Sequence, residues 1–427
     1  MRNTCKEKKA SVYLFIACWI VYAVVSMTKS AFATAIASIL KEGLFAKPEA
    51  GLISAGFYLF YGGAQLVGLK LIDKISPTGM ITTTLIGTAV AMVGMACSNS
   101  FALMLFFWCF CGLIQFAIWP AVLRLIAEYL HAEHEGIARI YIAFSYCTGT
   151  LLNYLIAAAL LKVARWTSIF WTFTCVVTVC LIVWLLISHR TVPVLLAYRE
   201  RYCETKNEIK RGAPQTPHST MKLLVSSGLI LLLVPAVLRC ALDTGLKSWV
   251  PTMIVENYDV SISFASVLTT VLICINLTGA FIATFFYPKR IKNATLAFSL
   301  CFLVSIPFMV LLLWIGKIHV ALVVLFLTII TTMMYAGHQL INVIIPSHFA
   351  KMGKTGSVSA ILNAFASFGA VIASFAFGYI AENYGWSATT ASWIVIAAVA
   401  CLFSLVAAPR WKRFSKEVFD EKHSSAR

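Results

Sequence analysis

Residues 12–36 read VYLFIACWIVYAVVSMTKSAFATAI, with Lys29 as the one charged side chain. A helix needs roughly 20 apolar residues to cross a hydrocarbon core, so this stretch is long enough to span a bilayer. Comparable runs recur along the chain, to about twelve in all, and a soluble helix would show polar residues every few positions instead. Hydrophobic residues make up 60% of the sequence and charged residues 12%. These patterns predict an all-α, multi-pass membrane protein, because open sheets cannot satisfy their backbone in lipid.

The other predicted spans follow at short intervals and occupy residues 50–72, 80–97, 102–118, 137–161, 167–187, 223–238, 262–286, 294–315, 320–345, 358–380 and 387–408. The formal net charge of +17 comes from lysines and arginines in the short connections. Those basic connections fall on one side if the spans alternate, so the positive-inside rule predicts that both termini are cytoplasmic, as expected in a bacterial inner membrane. The distribution argues against nucleic-acid binding. The thirteen cysteines lie mostly inside apolar runs with no metal-ligand spacing, so we expect no metal, cofactor or disulfide. We also expect the protein to be a monomer.

The longest polar stretch divides the chain into two halves of about six spans. We predict an N-terminal half at 1–188, a basic cytoplasmic linker at 189–221, a C-terminal half at 222–409 and a cytoplasmic tail at 410–427. The halves repeat short patterns: Lys29-Ser30 corresponds to Lys247-Ser248, and the segment 164–171 resembles 384–393. Two six-span repeats joined by a central loop are typical of major-facilitator transporters.

Several motifs resemble those of the organophosphate:phosphate antiporters, which include the sugar-phosphate and glycerol-3-phosphate permeases. They are IWPAVLR at 118–124, KSAFATA at 29–35, GLKSWVPT at 245–252, GHQ at 337–339 and GYIAENYGW at 378–386. The resemblance implies the major-facilitator fold, with about twelve helices in two pseudo-symmetric halves, and secondary transport.

Three ionisable residues interrupt the seventh span: Arg239, Asp243 and Lys247. Their spacing of four places them on one helix face, and buried charge is costly in a membrane, so we expect them to line the interior with Lys29. Three cations against one carboxylate favour an anionic substrate. The alternative is an ion-pair network that only fastens the halves together.

In the resembled family, two arginines grip the substrate phosphate. Their positions correspond to Lys29 and to Asp243, or to Arg239 after a one-turn shift, and the family's histidine in span five corresponds to Tyr146. Lysine lacks the planar fork of arginine, so a carboxylate or sugar acid is as plausible a substrate as a phosphate. His338 in span ten is either a titratable group facing the pore or a hydrogen-bonded interior histidine.

Further charged residues are candidates for conformational gating. They are Arg124, Glu128 and Arg139 around spans four and five, and Asp73 and Lys74 after span two. The leading hypothesis is therefore a secondary active transporter for a small organic anion, working by antiport against phosphate or by proton-coupled symport. The alternative is a membrane sensor with a transporter fold. An enzyme is disfavoured, because the sequence shows no cluster of catalytic residues.

Overall fold

The computed structural model describes residues 2–72, 75–207, 227–286, 290–291, 293–315, 319–349 and 355–424, and these residues are helical with short connections. The prediction of an all-α chain is confirmed. Several helices begin at a serine whose hydroxyl accepts a hydrogen bond from the third amide of the helix: Ser76 from Gly79, Ser100 from Leu103 and Ser261 from Phe264. Such caps satisfy amides that the first turn leaves without a partner.

The chain divides into two compact units. The first comprises Met1–Leu44 and Gly63–Pro214, and the second comprises Phe45–Gly62 and Gln215–Arg427. In the N-terminal part of the chain the helices are α1 (Arg2–Lys29), α2 (Ala31–Lys41), α3 (Lys47–Ile72), α4 (Pro77–Cys97), α5 (Phe101–Gln115), α6 (Ile118–Tyr129), α7 (Ala132–Leu160) and α8 (Thr167–Asn207). The core of the first unit packs one apolar face of α1 against α4, α6, α7 and α8, with Leu14, Cys18 and Trp184 almost fully buried.

The second unit contains α9 (Leu229–Tyr258), α10 (Ile262–Phe281), α11 (Ala294–Ile315), α12 (Val320–Gln339), α13 (Ile345–Ser347) and α14 (Thr355–Ser424). π-Helical turns extend α10 over Ile282–Phe286 and α12 over Leu340–Ile344. The first part of α3 also belongs to this unit, because Gly51 and Gly62 pack closely against Ser374 and Ser367 of α14.

Among the described residues, nine helical stretches are long and apolar enough to cross a membrane, and Phe144–Leu160 is a shorter apolar helix. One of the nine, Ile361–Ser415, covers two predicted spans. The two helices in it meet at Gly385, where the backbone is not helical and φ is 78°. The helix α3 corresponds to the second predicted span. The prediction of a multi-pass helical membrane protein is therefore confirmed.

Three helices differ in extent from the apolar runs that mark the predicted spans. The seventh span does not end at Leu238, because α9 continues through the charged stripe to Tyr258. The sixth helix continues past residue 187 to Asn207, so the first part of the predicted linker is helical. The first span is broken at Ser30, directly after Lys29, where α1 ends and α2 begins.

Two pairs of contacts repeat in the two units. Gly149 packs on the carbonyl of Ala23 in the first unit, and Gly369 packs on the carbonyl of Val237 in the second. In each unit a tryptophan indole also donates a hydrogen bond to a glutamate: Trp166 to Glu42 and Trp386 to Glu256. The contacts therefore support an internal repeat.

The repeated contacts also give its register. Ala23 and Val237 are 214 positions apart, as are Glu42 and Glu256, which makes Lys29 equivalent to Asp243. The sequence match of Lys29 with Lys247 is therefore out of register by one helical turn.

Candidate functional site

The charged stripe on α9 forms one connected ion-pair cluster within the second unit. The Lys247 ammonium lies 2.8 Å from Asp243 Oδ1 and donates a hydrogen bond to Oδ2 at 2.9 Å. The Arg239 Nη1 atom lies 3.8 Å from Oδ2, which is beyond hydrogen-bond distance. The three side chains are four residues apart and therefore stack along one helix face, as predicted.

Burial changes steadily along this stripe. The side chain of Arg239 is 3% exposed, that of Asp243 is 15% and that of Lys247 is 22%. The carboxylate is hydrogen-bonded to the more accessible cation. The Arg239 Nε and Nη1 atoms are buried and have no hydrogen-bond partner among the described residues. The excess positive charge of the cluster is therefore concentrated on Arg239, where an unsatisfied buried donor is costly.

The neighbouring helix α12 completes the surroundings of the stripe. A Cβ atom built on Gly337 would lie 3.0 Å from the Phe298 ring and 3.4 Å from Arg239 Cδ, so the glycine leaves room for the phenylalanine and lies beside the arginine. His338 Nδ1 lies 2.9 Å from Asn342 Nδ2, and the imidazole interacts electrostatically with Asp243. Which of the two groups donates depends on the tautomer of His338. His338 is partly buried, and the two roles predicted for it remain predictions.

In the first unit, Lys29 is partly buried at the end of α1 and lies close enough to Cys111 to influence it electrostatically. Beside it, Gln115 is fully buried and donates to the Thr28 hydroxyl at 3.0 Å. The Thr28 hydroxyl donates its own proton to the Val25 carbonyl, which fixes the orientation of the Gln115 amide. The Gln115 Oε1 atom is left buried without a hydrogen-bond partner.

Gln115 is not among the site residues predicted from the sequence. A signal existed, because Gln115 is the one side-chain amide within the apolar run 102–118. Tyr146 is partly buried on α7, also in the first unit. The structure thus brings Arg239, Asp243, Lys247 and His338 together. The prediction that Lys29 and Tyr146 contribute to the same site remains a prediction.

Two of the predicted gating residues, Arg124 and Glu128, form a second charged cluster in the first unit. Arg124 donates to Glu128 at 3.1 Å and to the carbonyl of Ile75 at 3.0 Å. Arg199 reaches the other oxygen of Glu128 at 3.4 Å and lies over the Tyr129 ring. Glu128 therefore joins α6 to α8, an interaction that the sequence did not reveal. Asp73 and Lys74 lie outside the described residues, as does the side chain of Arg139 on α7.

A third polar cluster repeats at one end of each unit. In the first unit, Arg165 donates to Glu42 at 2.6 Å and Trp166 donates at 3.2 Å. The hydrogen bond from Arg165 lowers the pKa of Glu42 below its ordinary value, against the opposing effect of partial burial. In the second unit, Lys47 lies 3.1 Å from Glu256, which also accepts a hydrogen bond from Trp386 at 2.8 Å. Lys47 further pairs with Glu382 at 3.3 Å.

Comparison with known proteins places these features in context. The model of the Major Facilitator Superfamily matches residues 18–374. A probable hexose phosphate transport protein of Chlamydia muridarum is 21% identical over 435 aligned residues, covering 97% of this chain and 93% of that protein. Its counterpart in Chlamydia trachomatis serovar D is also 21% identical, over 96% and 92% of the two chains.

Solved structures share the fold. A bacterial homolog of the human lysosomal transporter Spinster, in an inward-facing and occupied conformation, superposes with a TM-score of 0.75 at 14% identity, covering 94% of this chain and 97% of that chain. A D-xylose-proton symporter gives a TM-score of 0.72 at 11% identity, with coverage of 93% and 97%. At these identities the likeness concerns the fold alone.

Proposed function

Because the chain belongs to the Major Facilitator Superfamily of membrane transporters, we propose that it moves a small organic anion across the membrane by alternating access. Its function is transport and not catalysis. The anion carries a phosphate or carboxylate group, with sugar phosphates and sugar acids as the favoured candidates. The names of the Chlamydia relatives support the first of these, since both are described as probable hexose phosphate transport proteins.

The observation that carries this proposal is the excess charge on α9. Two cations share one carboxylate, and the more deeply buried cation, Arg239, is not hydrogen-bonded to it. An anion that approaches the stripe would supply the acceptor that Arg239 lacks. The Lys247–Asp243 pair lies on the more exposed side of the stripe, so its rearrangement would admit the anion to Arg239.

The same stripe suggests how transport is coupled. Asp243 is the one carboxylate in the stripe. Protonation of this carboxylate removes its negative charge and weakens its attraction for the neighbouring ammonium group. We assign the coupling role to Asp243, with a proton as the co-transported ion in symport. In antiport, phosphate would occupy the cation site on the return step instead.

Uptake into reconstituted vesicles tests the proposal. Radiolabelled glucose 6-phosphate would be offered with unlabelled phosphate, gluconate or neutral glucose as competitors, with and without an imposed pH gradient. We expect the two anions, and not glucose, to compete. Arg239→Ala and Lys29→Ala should each lower affinity, whereas Lys412→Ala on the exposed tail should not.

Competition by neutral glucose alone, with wild-type affinity in Arg239→Ala, would refute the anion site. Saturable binding of these anions without uptake would instead favour the sensor hypothesis. Stimulation by a pH gradient supports symport, whereas stimulation by phosphate loaded inside the vesicles supports antiport.

A further inference from the structure

A surface cavity of about 280 Å³ lies beside the first turns of α1 in the first unit. It is lined by Lys8, Lys9, Val12, Tyr13 and His134. The first four lie on one face of α1, and His134 comes from the beginning of α7. A hydrogen bond of 3.2 Å between His134 Nδ1 and the Ser11 hydroxyl holds the imidazole at the cavity. The cavity therefore combines two ammonium groups, an imidazole and a phenol with one apolar wall.

Below the cavity, the outward face of α1 becomes apolar. Val12, Ile16 and Ile20 are exposed on that face, whereas Leu14 and Cys18 on the opposite face are fully buried. The candidate membrane span, assigned by length and composition, is Lys6–Lys41, so these exposed apolar residues have the composition of a surface that faces acyl chains. Tyr13 lies between the cationic and apolar levels, where amphipathic rings are favoured at a membrane interface.

This order of cationic, amphipathic and apolar side chains matches the order of groups along a phospholipid. We propose that the cavity binds the phosphate group of an anionic phospholipid, with one acyl chain lying along Val12, Ile16 and Ile20. Lys9 and His134 contact the phosphate, and Tyr13 lies at the level of the glycerol. A free phosphate compound would use the cationic groups but not the apolar wall, which is why the lipid fits better.

The nearby carboxylate of Glu133 does not block this binding. Lys8 pairs with Glu133 at 2.7 Å, but the two side chains are 43% and 61% exposed. Exposed ion pairs are weak because water and salt screen them, so a phosphate can compete for the Lys8 ammonium. Lys9 is exposed and adds a second cation on the same face.

Native mass spectrometry of the purified full chain tests the proposal. The protein would be delipidated in detergent and titrated with phosphatidylglycerol, phosphatidylcholine or the soluble, acyl-free glycerol 3-phosphate. The variants are Lys9→Gln and Lys9→Gln/His134→Gln. The matched control is Lys41→Gln, an exposed lysine at the other end of the same span. Unfolding temperatures without lipid verify that each variant is folded.

We expect wild-type protein to bind phosphatidylglycerol more tightly than phosphatidylcholine. Lys9→Gln should weaken phosphatidylglycerol binding about fivefold, which is the effect of one basic residue near an anionic membrane surface, and Lys41→Gln should not. Three results would overturn the proposal. They are unchanged phosphatidylglycerol binding in the double variant, equal binding of the two lipids by wild-type protein, and displacement of phosphatidylglycerol by equimolar glycerol 3-phosphate. The last two require wild-type protein alone.

Discussion

Replacing Asp243 with Asn tests whether the stripe on α9 is held together by charge. The substitution keeps the shape of the side chain but removes the carboxylate that lies 2.8 Å from Lys247 and 3.8 Å from Arg239. Arg239, which is 3% exposed, and Lys247 then both lose the carboxylate that faces them. Removing one partner of a buried ion pair typically costs about 3–5 kcal/mol. We expect Asp243→Asn to lower the free energy of unfolding by that amount.

A double-mutant cycle identifies the source of the loss. Lys247→Gln in the Asp243→Asn background removes one excess cation and should restore about 1 kcal/mol or more, because the two sites interact directly. Recovery should be incomplete, since Arg239 stays buried without its carboxylate. Unfolding in mixed micelles of increasing dodecyl sulfate content, followed by tryptophan fluorescence, measures all four free energies.

Glu133→Gln supplies the matched control. Its ion pair with Lys8 is equally short, at 2.7 Å, but is exposed to solvent, so neutralising it should leave the unfolding curve in place. An unfolding free energy for Asp243→Asn equal to that of Glu133→Gln would refute the reasoning. So would a double variant that is less stable than Asp243→Asn alone.

Three further predictions concern the rest of the structure. Because the pKa of Glu42 is lowered in the folded protein, the Glu42 carboxylate stabilises the fold above the unfolded pKa, near 4.5. This stabilisation is lost as the pH falls through the lower folded pKa, so below that range the unfolding curves of Glu42→Gln and wild-type protein should converge. Gly149→Ala and Gly369→Ala should each lower the free energy of unfolding by about 1–3 kcal/mol, because the added Cβ atom would collide with a backbone carbonyl. Gly63→Ala is the control, since its Cβ atom would meet no atom within 4 Å and should not destabilise the protein. Equal stability of the three variants would contradict the helix packing. In a variant without native cysteines, Arg413→Cys should react with impermeant maleimide only from the cytoplasmic side and Lys41→Cys only from the opposite side, and labelling of both from one side would contradict the predicted topology.

Hydropathy predicted a multi-pass helical protein, but an apolar run does not show where a helix that carries charge ends. The seventh apolar run ends where Arg239 begins the stripe, yet α9 continues for five more turns. A hydropathy scale assigns each charge its own transfer cost, whereas in α9 Lys247 and Asp243 neutralise each other along one face. The extension of α8 to Asn207 was missed for a related reason, because a polar helix leaves no apolar run to detect.

For the candidate site, helical spacing was sufficient to place three charges on one face. It could not reveal which cation holds the carboxylate, because that choice depends on side-chain conformation and on packing against Gly337. The hydrogen-bond partners of Gln115 and Glu128 could not be predicted from the sequence for another reason. Each joins helices that are distant in the chain, and the spacing along one helix carries no information about such partners.

The equivalence of Lys29 and Asp243 has an evolutionary meaning. If the two halves descend from one duplicated six-helix ancestor, both residues derive from a single ancestral codon. At least one copy has since changed so completely that the side chains now bear opposite charges. The contacts made by Gly149 and Gly369 and by Trp166 and Trp386 are alike in the two units. The two copies therefore share one packing framework and differ in charge at this position.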